Sequence, residues 1–312
     1  MLGLLSCDAS DTEEPGATPE MTGGAAGSDR GDGAIGVGGV KGEICQVCEE
    51  YGPAERGAKL GVAVLTELSG LAASRRRPGV FYAHNDSGDG PRLFAITLEG
   101  TLASEHELLG AKAVDWEDIA TGPCTAGDCL FVADIGDNTR KRADVVIYRV
   151  DEAALAWGKA AEAEALRAIY PDGPHDAETL LADPSSGDLF VITKEESGTS
   201  LVFRLPASAS TEETTTLDLV AQLALPASGN RQATGGDAHP CAPRFLLRTY
   251  TRAYEFRAPP GKPFLEAFAA TPVAVPVEPE AQGEAIAYLS GGGGFVTMSE
   301  GKGPWINQTR CF

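Results

Sequence analysis

The run Trp116-Glu-Asp-Ile-Ala-Thr-Gly-Pro-Cys-Thr-Ala-Gly-Asp-Cys-Leu-Phe-Val-Ala-Asp-Ile-Gly-Asp137 decides the architecture. It contains an acidic opening, a turn between two cysteines and a short apolar run, Leu130-Phe-Val-Ala, followed after a polar loop by Val145-Val-Ile-Tyr-Arg. Short runs rich in Val, Phe, Tyr and Ile, bounded by Gly, Pro, Asp and Asn, are strand signals. The same order recurs four more times. Its openings are Glu67-Leu-Ser69-Gly-Leu, Ala177-Glu178-Thr-Leu-Leu, Gly236-Asp237-Ala-His and Gly283-Glu284-Ala-Ile-Ala. The second runs are Val80-Phe-Tyr-Ala, Leu189-Phe-Val-Ile, Phe245-Leu-Leu-Arg and Phe295-Val-Thr-Met. Leu93-Phe-Ala-Ile, Leu201-Val-Phe-Arg, Tyr254-Glu-Phe-Arg and Trp305-Ile-Asn-Gln are the third. Fourth runs are looser, as in Leu166–Tyr170 and Leu217–Leu223. Aligning Ser69, Glu117, Glu178, Asp237 and Glu284 gives spacings of 48, 61, 59 and 47 residues.

Five repeats over residues 67–312 average about 49 residues, the size of a four-stranded propeller blade. The fifth repeat ends after its third strand. Leu60-Gly-Val-Ala-Val-Leu65, just upstream of the first repeat, is expected to supply the fourth and so leave no open edge. The predicted fold is therefore all-β, a five-bladed β-propeller of four-stranded blades, with six blades as the alternative. Residues 152–168 are rich in Ala and Glu and read as a helix inserted between the third and fourth strands of blade 2.

Outward from the repeat, 45 Asp and Glu against 25 Lys and Arg give a formal charge of −20. That acidity excludes a nucleic-acid binder, because neutralising phosphates takes clustered Lys and Arg. Hydrophobic residues make up 43% of the chain, enough for a large core. Residues 1–7, ending Leu4-Leu5-Ser6-Cys7, resemble the end of a bacterial lipoprotein signal. They imply lipidation of Cys7 and export, either to the cell envelope (outer membrane or periplasm) or as a secreted protein. Residues 8–44, dominated by Gly, Ala, Ser, Thr, Asp and Glu, read as a flexible tether, and 45–312 as the propeller domain. A membrane is then met only through the lipid, and a monomer is expected.

Six cysteines remain besides Cys7. An even number beside an export signal favours disulfides over metal thiolates. Cys124 and Cys129 enclose Thr-Ala-Gly-Asp and are expected to pair across that turn. Cys241 and Cys311 are placed in adjacent blades on one face, which leaves Cys45 with Cys48; exchange of partners among these four stays open.

Propeller geometry gathers the acidic openings and the ends of the second strands on one face. Asp86-Ser-Gly-Asp89 and Asp134-Ile-Gly-Asp137 each begin 17 residues after their blade's aligned position, Glu195 lies 17 after Glu178, and Glu300 lies 16 after Glu284. Blade 4 offers Arg248 and Tyr250 at that place. A ring of Glu117, Glu178, Asp237, Glu284, Asp86 and Asp134 would repel itself unless a cation sat within it. Oxygen-only ligands, with Asn85 and Asn138 beside them, suit Ca²⁺. The alternative is that the acids bond backbone N–H groups or pair with Lys194 and Arg248. His175 and Glu178 are the candidate catalytic residues, His175 as a general base near a cation-bound water. Lys194, Arg248 and Tyr250 are candidate substrate contacts. No nucleophile elbow and no phosphate-binding loop occurs.

With Asp115-Trp-Glu-Asp-Ile, Asp134-Ile-Gly-Asp-Asn138, His175-Asp-Ala-Glu178 and Gln282-Gly-Glu-Ala-Ile286, residues 60–312 resemble bacterial secreted β-propellers of the phytase-like or esterase-like kind. They are more distantly similar to calcium-dependent lactonase propellers. The resemblance implies a calcium-bearing channel and hydrolysis of phosphate esters or esters. Because a fold does not imply a chemistry, the first expectation is a recognition or scaffold module holding a small-molecule or cell-envelope ligand at the acidic rim. A calcium-dependent hydrolase of phosphate esters, esters or lactones is the second. A sugar- or quinone-dependent oxidoreductase is the third, without a cofactor motif to support it.

Overall fold

The computed structural model describes residues 45–125, 127–155, 160–226 and 229–312. Cys7, the 8–44 segment and part of the expected helix lie outside them. The chain forms a five-bladed β-propeller of four-stranded antiparallel blades, two of which gain a two-residue parallel strand at the outer edge. Blade 1 comprises Leu68–Ala73, Val80–Asn85, Arg92–Thr97 and Leu102–Leu109, in order from the centre outward. Blade 2 comprises Trp116–Cys124, Gly127–Asp134, Val145–Asp151 and Glu164–Ile169. Blade 3 is Ala177–Ala182, Leu189–Thr193, Thr199–Leu205 and Asp218–Ala224. Gly235–Ala238, Arg244–Arg248, Ala253–Arg257 and the short Val273–Val275 make blade 4. In blade 5, Gly283–Tyr288, Gly294–Ser299 and Trp305–Arg310 are completed by Glu55–Lys59. The five innermost strands touch one another in ring order, the last meeting the first.

This arrangement explains the sequence pattern. A middle strand has a blade on each side, so runs such as Leu130-Phe-Val-Ala are apolar on both faces rather than alternating. An outer strand faces water on one side, and Leu102–Leu109 alternates, burying Ser104, His106 and Leu108. The core divides into five apolar clusters, one per seam between blades. In the seam of blades 3 and 4, the 3₁₀ turn Phe264–Ala269 packs Phe264 and Phe268 against Phe190 and Phe245. Among the described residues no helix is long and apolar enough to cross a membrane.

Three expectations are corrected. The closing strand is Glu55–Lys59, not Leu60–Leu65; it pairs Glu55 with Gln308 and Arg56 with Asn307. Leu60, Val62 and Leu65 are apolar because they fill the seam of blades 5 and 1, whereas an outermost strand must face water. Among the described residues of 152–168, Glu152–Ala154 form a 3₁₀ turn, Ala161–Glu162 pair with Leu108 and Leu109 of blade 1, and Glu164 onward form the fourth strand of blade 2. Helix propensity, worth only tenths of a kcal/mol per residue, yields there to pairing of Glu164–Ala168 with Val145–Arg149. The disulfides are Cys124–Cys129, as expected, and Cys45–Cys241 and Cys48–Cys311, with Cα–Cα distances of 5.8, 6.4 and 5.1 Å. Cys241–Cys311 and Cys45–Cys48 do not form, because the segment before the closing strand runs along two blades. Tyr51 bridges to Cys311 and Gly52 donates to the Arg310 carbonyl, which brings Cys48 to Cys311. Further upstream, Gln46 donates to the Gly291 carbonyl and its own carbonyl lies 3.2 Å from His239 Nε2, placing Cys45 beside Cys241.

Candidate functional site

Four of the five innermost strands start with an irregular register. The shift falls between Trp116 and Asp118, Ala177 and Thr179, and Gly283 and Ala285, and in blade 1 between Leu68 and Leu71. The extra residue of a bulge is re-aimed out of the pleat. In blades 2, 3 and 5 that residue is Glu117, Glu178 and Glu284, and all three converge at one mouth of the central channel. Blade 4 has no bulge and pairs Gly235 directly with Arg248.

Around these three glutamates lies a crown of acids. Asp86, Asp115 and Glu117 offer oxygen atoms that all lie within 4.8 Å of one another. Burial and then the neighbouring Asp115 push Asp86 up to about 7. Glu117 is 4% exposed, and burial, with Glu178, Asp86, Asp115 and Asp176 around it, holds its carboxyl well above the usual range. Burial likewise raises Glu178 to about 7, against the relief given by its ion pair with Lys194. Glu284 is pushed up to about 8 by burial and by Glu300, and Glu300 to about 7 by burial and by Glu67. Lys194 brings a cation among them. Its ammonium pairs with Glu178 and lies 5.3 Å above the Tyr250 ring.

Several candidates lie elsewhere. Asp237 is the third residue of its strand, paired with Leu246 below the crown, and its carboxylate accepts the Tyr288 N–H at 2.8 Å. It lines a crevice with Arg75 and Thr121. Asp134 is engaged by Arg142 at 2.7 Å and by the N–H groups of Val114 and Asp115, so it holds the loop that presents Asp115 instead of joining the crown. Arg248 is 1% exposed; its guanidinium donates to Glu280 and to the Ala285 carbonyl, stapling blade 4 to blade 5. It has no surface to offer a substrate. Glu195 pairs with Arg140. His175 turns to Asp172, Tyr170 and Phe203 rather than to Glu178. His84 is buried behind the crown against Trp116, where burial pushes it down to about 4. Asn85 accepts the N–H groups of Thr66 and Glu67, so it shapes the loop before blade 1.

Asp115, Asp176 and Glu67 are crown members that spacing did not single out. Asp115 lies two residues before Glu117, inside the same motif, and was legible as a second carboxylate there. Gly136, in the Asp134-Ile-Gly-Asp turn, gives a further signal: a Cβ on it would overlap Glu117 Oε1 and Asp115 Oδ2. Only glycine lets these two carboxylates close over the turn.

The crown fits a hard divalent cation by its chemistry. Every donor is oxygen, and Asp86 Oδ1 is buried with no hydrogen-bond partner. Among the described residues only one other group of this kind occurs, Cys45, His239 and Cys241, and its two sulfurs are joined in a disulfide.

The fold and the site thus define a five-bladed β-propeller with an acidic crown at one mouth. No family model matches the chain, and comparison with curated proteins finds no relative. Among solved structures it is similar to the PQQ-bound form of an aldose sugar dehydrogenase from Streptomyces coelicolor, at 13% identity and a TM-score of 0.49, covering 85% of this chain and 99% of that one. It is also similar to a structural genomics protein of unknown function from Bacteroides thetaiotaomicron, at 12% identity and a TM-score of 0.44, covering 84% and 76%. At these scores neither likeness speaks to chemistry.

Proposed function

We propose that this protein is an exported recognition propeller that holds a divalent cation, Ca²⁺ by donor chemistry, in its crown and takes its ligand through that ion. The observation that carries this reading is the meeting of Asp86, Asp115 and Glu117 within 4.8 Å around a buried Asp86 oxygen that lacks a partner. Glu178 and Glu284 complete the acidic surround. Ca²⁺ takes 6–8 oxygens, and Asp86, Asp115 and Glu117 offering one oxygen each supply three, so positions remain for oxygens of a small-molecule or cell-envelope ligand. Three disulfides agree with export, where such bonds persist, and with an anchor on Cys7.

Recognition is favoured over hydrolysis because two groups that hydrolysis would draw on, Arg248 and His175, are engaged away from the crown. Calcium-dependent hydrolysis of phosphate esters, esters or lactones is the second reading. It is favoured by Lys194 and Tyr250, an ammonium and a phenol at the crown's edge. The test is calorimetric titration of Ca²⁺ into EGTA-treated protein in two buffers of different ionisation enthalpy. Saturable binding with proton release near pH 7 is expected, since the cation displaces protons from Asp86 and Glu178. Absence of saturable binding would refute the reading. Phosphate monoester, carboxylic ester and lactone turnover that appears with Ca²⁺ and vanishes with EGTA would select hydrolysis.

A further inference from the structure

Each innermost strand pairs with one neighbour and leaves its other edge facing the channel. The N–H and C=O groups of such an edge are buried and must find partners. Several are met by a side chain of the adjacent blade. Ser69 donates to the Glu117 carbonyl, Thr121 to that of Ala73 and Thr234 to that of Gly283, while Asp237 accepts the Tyr288 N–H. Asp118 reaches further. It is 1% exposed, and its Oδ1 accepts the Ile119 N–H at 2.9 Å. Its Oδ2 accepts two more, from Leu180 of blade 3 at 2.9 Å and from Gly236 of blade 4 at 3.3 Å. We propose that Asp118 is the positioning residue of the crown, one oxygen joining three blades at the spacing that gathers Glu117 and Glu178 at one mouth.

Its place in the chain couples it to the crown. Asp118 follows Glu117 directly, and Leu180 stands two residues after Glu178, so their bond joins blades 2 and 3 immediately beneath the two bulged glutamates. One carboxyl can serve three strands only where they approach closely. On blade 4, Gly236 permits this, since a Cβ there would lie 2.8 Å from Thr179 Cγ2 and 3.1 Å from Leu181 Cδ2. On blade 1, a Cβ at Gly70 would lie 2.8 Å from the Ile119 nitrogen and 3.0 Å from the Asp118 carbonyl carbon. Burial raises the Asp118 carboxyl well above the usual range, against the relief its three N–H partners give. An oxygen with two lone pairs accepts both cross-blade bonds whether the group is ionised or not, so the tie does not depend on its charge.

The mouth above works against that tie. Glu117 has Glu178, Asp86 and Asp115 around it, and like charges there drive the strands apart. Because its far ends are backbone N–H groups, the tie holds the strands themselves. The crown oxygens then stay where Ca²⁺ can meet them at about 2.3–2.6 Å.

The affinity readout of the test rests on the cation reading above, and a second readout does not. Tb³⁺, a luminescent stand-in for Ca²⁺, is titrated into the wild type, Asp118→Asn, Asp118→Ala and Asp237→Ala, with lifetimes in H₂O and D₂O counting the waters on the ion. Crystal structures of the four proteins in EGTA give the Glu117–Glu178 separation without an ion. Asn keeps an oxygen for Leu180 and Gly236, so affinity should fall by less than about threefold; Ala keeps none and should weaken binding about tenfold or more. Ala should also add water to the ion and widen the Glu117–Glu178 separation. Asp237→Ala breaks another buried bond between blades and should lower the melting temperature with affinity and hydration unmoved. Equal losses in Asn and Ala would overturn the proposal, as would native affinity and separation in Ala. Should Asp118→Ala not fold, NMR of the wild type decides: the Leu180 and Gly236 amide signals should follow the Ca²⁺ isotherm while that of Tyr288 stays still, and unmoved Leu180 and Gly236 signals would overturn the proposal. A wild type that binds no Tb³⁺ refutes the cation reading, and the ion-free separations then decide the positioning role by themselves.

Discussion

Gly136 has no side chain, and the crown depends on that. Gly136→Ala would drive a methyl group into the Glu117 and Asp115 carboxylates, so those two side chains would have to move apart from the turn. The expected outcome is Ca²⁺ affinity reduced about tenfold or more, the effect of misplacing one or two ligands, with an unchanged far-ultraviolet circular dichroism spectrum. Asp86→Asn should do the same by removing charge. Asp237→Asn should leave affinity unaltered, because that carboxylate bonds Tyr288 N–H beyond the crown; a comparable loss there would refute the placement. Spacing along the chain foretold that Asp86, Glu117, Glu178 and Glu284 share one mouth. It did not separate Asp134 from Asp115, since the partner that claims Asp134 is Arg142, eight residues further on, and pairing of that kind leaves no period in the sequence.

At the scale of strands, alternation and punctuation were sufficient for the inner, second and third strands, because most of them are short runs buried between two other blades. Outer strands were harder to read. Their burial is one-sided, so Glu55–Lys59 carries little apolar signal and was overlooked in favour of the more hydrophobic Leu60–Leu65. The bulges were invisible too, and blade 4, which lacks one, carries Asp237 deeper along its strand. Two staples at this scale invite measurement. Arg248 and Glu280 form a buried pair, 1% and 4% exposed, so Arg248→Met leaves Glu280 uncompensated and should cost about 3–5 kcal/mol by chemical denaturation. Adding Glu280→Gln should recover part of that loss. Among the disulfides, Cys48–Cys311 closes the ring across a sequence separation of 263, and Cys124–Cys129 spans only 5. In the chain-entropy account the long closure stabilises more, so Cys48→Ser with Cys311→Ser should cost roughly 2–5 kcal/mol and the hairpin pair clearly less. Equal losses would mean that local strain, not ring closure, sets the effect.

Across the whole molecule, the crown makes stability depend on pH and on the cation together. Asp86, Glu178 and Glu300 are raised to about 7 and Glu284 to about 8, with burial as the first cause in each. The folded protein therefore keeps protons that the unfolded chain has already released above its ordinary carboxylate range. Stability of this kind is fully present below the unfolded values and is lost as pH rises through the folded ones. In EGTA the melting temperature should thus fall between pH 5 and pH 8. Two like charges no more than 4.8 Å apart at an effective dielectric of ~20 repel by about 3 kcal/mol or more, enough to move the transition by several degrees in a domain of this size. A bound divalent cation reverses the sign, holding the same carboxylates ionised. The gap between melting temperatures in Ca²⁺ and in EGTA should be near zero at pH 5 and widen steadily to pH 8. Gln at both Glu178 and Glu284 should narrow it and raise the ion-free stability at pH 8, because those variants no longer place two of the opposing charges at the mouth. A gap that stays constant with pH would mean that the cation binds away from these acids; no gap at pH 8 would mean that the crown is held together by its protons alone.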